Sequence, residues 1–123
     1  MITRVHSAGI PVKDQDAALE FYVNILGWEK RIDAQVDENM RFLTVGTPGA
    51  QTEISLVKVD NVADKLSAVT LIADDIQATY DDLTAKGVQF NMPVTDMPWG
   101  GRGAEFQDID GNRFYVEEAQ AAE

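Results

Sequence analysis

Cysteine is absent from the 123 residues, and histidine occurs once, at His6. The first absence excludes disulfide frameworks, thiolate zinc sites, iron–sulfur clusters and cysteine nucleophiles. The second excludes a multi-histidine metal site within one chain. Positive charge is scarce: 10 Lys and Arg stand against 21 Asp and Glu, a net charge of −11. Such a field repels a nucleic-acid backbone and an anionic membrane, and leaves a neutral or cationic small molecule as the expected partner. No stretch approaches the length of apolar chain that spans a bilayer. The opening Met1-Ile2-Thr3-Arg4-Val5-His6 has no apolar run behind a basic region, so no leader is expected and the expected location is the cytoplasm. What is present is ordinary for one domain of this size: 45% apolar and 25% charged residues, enough to bury a core without metal or disulfide staples.

The chain repeats itself at an offset of about 60 residues. Residues 10–14 read Ile-Pro-Val-Lys-Asp and residues 70–74 read Thr-Leu-Ile-Ala-Asp. Asp14 precedes Gly27 by the same interval that separates Asp74 from Gly87, and Ala18 and Val12 align with Ala78 and Ile72. In the first half, residues 5–12 alternate as a strand does. Asp14 or Asp16 caps a helix, Leu19, Tyr22, Val23 and Leu26 recur at helical spacing, and Gly27 ends it. In the second half, strand 67–73 leads to Asp74-Asp75, then to Ile76, Tyr80 and Leu83 on one helical face, then to Gly87. Strand-like runs follow at 28–36, 40–46 and 51–59, and again at 88–96, 102–107 and 112–118. Pro48-Gly49 and Asp110-Gly111 supply the turns. The expected fold is α+β, one domain over 1–123, with module one at about 1–60 and module two at about 61–118. Residues 60–64 read as a polar linker and 119–123 as a frayed tail.

A doubled strand–helix–three-strand frame carrying Ile10-Pro-Val-Lys-Asp14, Phe21-Tyr22, Ile25-Leu26-Gly27-Trp28, Ala73-Asp74-Asp75-Ile76, Ala85-Lys86-Gly87-Val88 and Phe106-Gln107-Asp108-Ile109-Asp110-Gly111-Asn112-Arg113-Phe114 resembles the vicinal oxygen chelate superfamily. That group holds glyoxalase I, extradiol dioxygenases and bleomycin resistance proteins. The resemblance implies two βαβββ modules forming a paired half-barrel cup that holds substrate. It also implies metal-ligand positions, which fall here at Ser7, at Ala68, at Glu53 or Ser55, and at Tyr115. His6 lies one residue off register and so points to the opposite face of its strand. Glu117 shares the parity of Tyr115 but lies two residues further along. At most one strong ligand survives, so no metal and no cofactor are expected, and neither is glyoxalase or dioxygenase chemistry.

The same parity points Ser7, Gly9, Glu53, Ser55, Val57, Ala68, Thr70, Ile72, Arg113 and Tyr115 inward. Loop 97–103 adds Trp99 and Arg102 at the expected mouth. Trp99 either offers a flat apolar face to a ligand or closes the core beneath its loop, whereas Trp28, directly after a helix-ending glycine, belongs in the core. The expected ligand-binding set is Ser7, Glu53, Ser55, Thr70, Trp99, Arg102 and Tyr115. The leading expectation is metal-independent binding or sequestration of a small aromatic, hydrophobic or cationic molecule, as in the bleomycin resistance branch. A lyase, isomerase or transferase using Glu53 or Tyr115 is the alternative. An accessory protein whose dimer surface matters most is a third. Binding members of the family commonly pair two chains, so a homodimer is expected.

Overall fold

A computed structural model describes residues 1–60 and 68–119, with only the backbone of Ala68. The chain divides into two compact units, Met1–Lys65 and Leu66–Glu123, each built in the order strand, helix, three strands. The first contains β1 (Ser7–Val12), α1 (Gln15–Glu20), β2 (Glu29–Asp37), β3 (Met40–Gly46) and β4 (Glu53–Lys58). The second contains β5 (Ala68–Ala73), α2 (Ile76–Ala85), β6 (Gln89–Asp96), β7 (Arg102–Gln107) and β8 (Arg113–Glu118). Each forms a four-stranded sheet, β1-β4-β3-β2 and β5-β8-β7-β6, in which the first strand runs parallel to the last. The fold is therefore α+β with two repeated βαβββ modules. Most of the linker, 61–64, and the tail residues 120–123 lie outside the described residues. Ala119, read as the start of the frayed tail, instead donates its N–H to the Ala73 carbonyl at 2.7 Å.

Both helices start on a carboxylate. Asp14 Oδ1 accepts from the Ala17 N–H at 3.1 Å and Asp75 Oδ1 from the Ala78 N–H at 3.0 Å, each stabilising its helix by about 1 kcal/mol. The second cap is thus Asp75 rather than Asp74. The repeat offset is 61 residues up to the helices and 60 at Gly27 and Gly87. Ala17, not Ala18, is the counterpart of Ala78, and Val12, fully buried, corresponds to Ala73 rather than to the exposed Ile72. The residue that module one has in excess sits in a π-helical turn, Phe21–Ile25, that continues α1. There the Leu26 N–H reaches back five residues to the Phe21 carbonyl at 3.0 Å, the bonding that absorbs one additional residue in a helix.

The helix-facing side of each sheet is apolar. In module one Ile10, Val12, Leu43, Val45 and Leu56 are almost wholly buried, with Tyr22 packed edge-on to Phe21 and against Trp28. Module two stacks Phe106 on Phe114 at 5.2 Å, with Phe90 beside them. Its β7–β8 turn is held by the buried Asp108, whose carboxylate accepts from the N–H groups of Asp110 and Asn112 and from Asn112 Nδ2. Gln15 ties α1 to its sheet by donating to the carbonyls of Arg41 and Leu56.

Candidate functional site

Alternation along the strands sends a second set of side chains to the sheet face away from the helix. In module one Ser7 stands opposite Glu53, and Gly9 opposite Ser55, which in turn pairs with Thr44. Both residues left open by the sequence, Glu53 and Ser55, therefore share this face. Each is about 9% exposed. The Glu53 carboxylate accepts a hydrogen bond from Thr44 Oγ1 at 2.9 Å, and its other oxygen lies 4.0 Å from Arg31 Nη1. Arg31 reaches this position because β2 breaks register between Lys30 and Ile32. A bulge of this kind re-aims a side chain. The guanidinium lies against Gly46, where a Cβ would stand 3.4 Å from it. It also donates to the Thr47 carbonyl at 2.8 Å, and its Nε lies 3.3 Å from Glu29.

Module two repeats the geometry with different chemistry. Tyr115 pairs with Thr70 on one side and Glu105 on the other, and Glu117 pairs with Ile72 and Gly103. A register break between Phe90 and Met92 matches the one at Arg31. It carries Asn91, whose Nδ2 donates to Glu105 at 3.2 Å. Tyr115 lies across Gly103, and its hydroxyl is buried without a hydrogen-bond partner. Burial, and secondarily the charge of Glu117, pushes the phenol above its ordinary value, so it stays a neutral donor at physiological pH. After Lys65 the sequence holds three basic residues, Lys86, Arg102 and Arg113, against eleven acidic ones, so the field over this module is negative.

The structure thus groups Ser7, Glu53 and Ser55 in one module, and Thr70 and Tyr115 in the other. Arg102 goes elsewhere. It shares the parity of the buried Ala104 and Phe106 and binds Glu118 through two hydrogen bonds of 3.0 and 2.8 Å. Glu118 in turn accepts from the Ile76 N–H at the start of α2. Arg102, then the Ile76 N–H, hold the Glu118 carboxyl below the usual carboxylate range. Trp99 occupies the β6–β7 loop, closed by Met97 N–H to Gly101 O at 2.9 Å and Gly100 N–H to Met97 O at 3.0 Å. Its side chain is 70% exposed, whereas Trp28 is 9% exposed. Trp99 does not close a core, and Trp28 belongs to one. His6 is exposed. Arg31, Thr44, Asn91 and Gly103 were not legible as site residues, because strand bulges and cross-strand packing leave no local sequence mark.

The family's metal positions can be tested against these contacts. Ser7 and Tyr115 are poor ligands for a divalent ion, and Ala68 offers none. Glu53 is already bonded to Thr44 and faces the Arg31 guanidinium, whose charge opposes a second cation there. Among the described residues no three His, Asp or Glu side chains converge. The residues present do not fit the metal.

A family model described as the Glyoxalase/Bleomycin resistance protein/Dioxygenase superfamily matches residues 4–116. The crystal structure of a member of that superfamily from Sphaerobacter thermophilus DSM 20745 is 46% identical, with a TM-score of 0.89 over 96% of this chain and 98% of the other. TnmS3, an antibiotic binding protein from Streptomyces sp. CB03234, is 31% identical, with a TM-score of 0.83 over 97% of this chain and 98% of its own. Among curated relatives, YetH of Bacillus subtilis (strain 168) is 26% identical over 121 residues, 96% of this chain and all of its own length.

Proposed function

The chain belongs to the Glyoxalase/Bleomycin resistance protein/Dioxygenase superfamily, and from that premise we propose that it binds and sequesters a small aromatic, hydrophobic or cationic molecule without a metal ion. The observation that carries this reading is the fate of Glu53. The one acid left at a metal-ligand position is tied to Thr44 and faces Arg31, so it is committed to internal bonds rather than free as a ligand or general base. What remains on the sheet faces is suited to binding: hydroxyls at Ser7, Ser55 and Thr70, a neutral phenol at Tyr115, and a negative surface. The likeness to an antibiotic binding protein over nearly the whole chain supports the same reading. Trp99 adds an exposed indole on a closed loop, a platform for stacking a flat or cationic ring.

Titration of the protein with a panel of flat aromatic and cationic aromatic compounds, followed by tryptophan fluorescence, tests the proposal. The exposed Trp99 is the reporter, and the buried Trp28 is the internal reference. Saturable quenching with no chemical change in the compound is the expected result. Trp99→Ala should weaken binding by roughly 5- to 150-fold, corresponding to about 1–3 kcal/mol for a lost aromatic contact, with little change in unfolding. Elemental analysis should find no tightly held metal. One equivalent of Zn, Fe, Ni or Mn retained through dialysis, or conversion of a bound compound to product, would overturn the reading.

A further inference from the structure

We propose that the Tyr115 hydroxyl is a hydrogen-bond donor held in reserve for a neutral acceptor on the ligand, a carbonyl or ether oxygen, and that Gly103 is the positioning residue that stores it. The inference rests on the reading of the chain as a small-molecule binder. Two features that cost stability meet at this point of module two. One is a buried hydroxyl without a partner, a state that native proteins rarely tolerate without a use for the group. The other is a buried glycine inside β7, a weak residue for a strand. Gly103 is not required by its backbone, because its φ lies outside the left-handed region. It is required by space: a Cβ there would fall on the phenol oxygen and within 2.7 Å of Cζ. The glycine therefore exists to seat the tyrosine, and the seat leaves the hydroxyl unsatisfied.

Tyr115 is only half-buried, so part of the ring reaches the surface while the oxygen is closed off against Gly103. For the hydroxyl to reach the ligand it must leave this seat by rotation about the Cα–Cβ bond. The neighbours define what it can meet. Glu117 pairs with Gly103, and Glu105 pairs with Tyr115 itself. The Glu117 carboxylate, whose charge acts on the phenol, repels a carboxylate or phosphate and tolerates a neutral oxygen. A neutral phenol donates to such an oxygen, and a ligand that supplies it relieves the unsatisfied group.

The test compares 9-fluorenone with fluorene, which share a flat ring system and differ in one carbonyl, by equilibrium dialysis against wild type and Tyr115→Phe. Wild type should prefer the ketone by roughly 2- to 12-fold, the range expected for one net hydrogen bond. Tyr115→Phe should bind the two compounds equally. Because it removes an unsatisfied hydroxyl, it should also melt higher than wild type, by roughly 3–6 °C. Equal binding of both compounds by wild type, a ketone preference that survives in Tyr115→Phe, or an unchanged or lower melting temperature would each overturn the inference and leave the binding reading standing. Failure of wild type to bind either compound would overturn both.

Discussion

At the scale of single residues, the charged side chains divide by what they hold. Arg102, expected near the ligand, binds Glu118, and Glu118 also accepts the first N–H of α2. Its chemistry is that of a strand–helix clasp. Because the Glu118 carboxyl is held below its usual range, first by Arg102 and then by the Ile76 N–H, its favourable contribution is complete above the unfolded carboxylate value of about 4.3. It is lost as pH falls through the lower folded value. Glu118→Gln should therefore lower the melting temperature near neutral pH and flatten its decline in acid, so that the two curves converge at the lowest pH. A difference that stays constant across the whole acid range would remove Glu118 from this role. Arg41 makes a similar clasp between Asp33 and Asp16, of which the Asp16 arm, with that carboxylate largely exposed, is the weaker contributor. The sequence showed the charges but not their partners, since nothing within a few residues of Arg102 or Arg31 reports the carboxylate across the sheet.

At the scale of elements, the repeat was legible because each module marks the same joints: an aspartate before the helix, a glycine after it, and alternating strands around both. The strand limits 40–46 and 102–107 read from the sequence coincide with β3 and β7. The phase of the repeat was not legible. Asp74 and Asp75 are both able caps, and only the hydrogen bond to Ala78 separates them. The Asp74-Asp75 doublet hides the one-residue difference, because Asp74 lies as far from Gly87 as Asp14 from Gly27 whereas the cap Asp75 lies one residue nearer. The π-turn in module one absorbs that residue. It keeps Tyr22 and Trp28 in contact despite the additional residue, with the Trp28 N–H bonded to the Tyr22 carbonyl at 2.9 Å. The helix-ending glycines test how the joints work. Gly27 and Gly87 have φ of 77° and 89°, and a Cβ at either would meet nothing within 4 Å. Gly27→Ala and Gly87→Ala should each cost about 1–2 kcal/mol from backbone conformation alone, measured by denaturant unfolding. A cost near zero would mean that the chain ends these helices equally well without the left-handed residue.

At the scale of the whole molecule, the two opposing quantities are open sheet edges and like charge. The strand orders leave β1 and β2 at the edges of one sheet, and β5 and β6 at the edges of the other. Unpaired edges are places where proteins take on a partner strand or cover. We propose that a second copy of the chain provides such cover, in the two-fold arrangement that closed homo-oligomers most often adopt. Two chains that each carry −11 repel one another as they approach, and salt screens that repulsion over about 10 Å at 0.1 M ionic strength. An association driven by strand and apolar contacts against this field should therefore tighten as salt is added, the reverse of an interface built on ion pairs. Light scattering should give twice 13.6 kDa at micromolar concentration in 0.15 M salt, with dissociation on dilution into low salt. A constant 13.6 kDa species at every ionic strength would overturn the dimer. A dimer that weakens with salt would instead show an interface built on ion pairs between the chains.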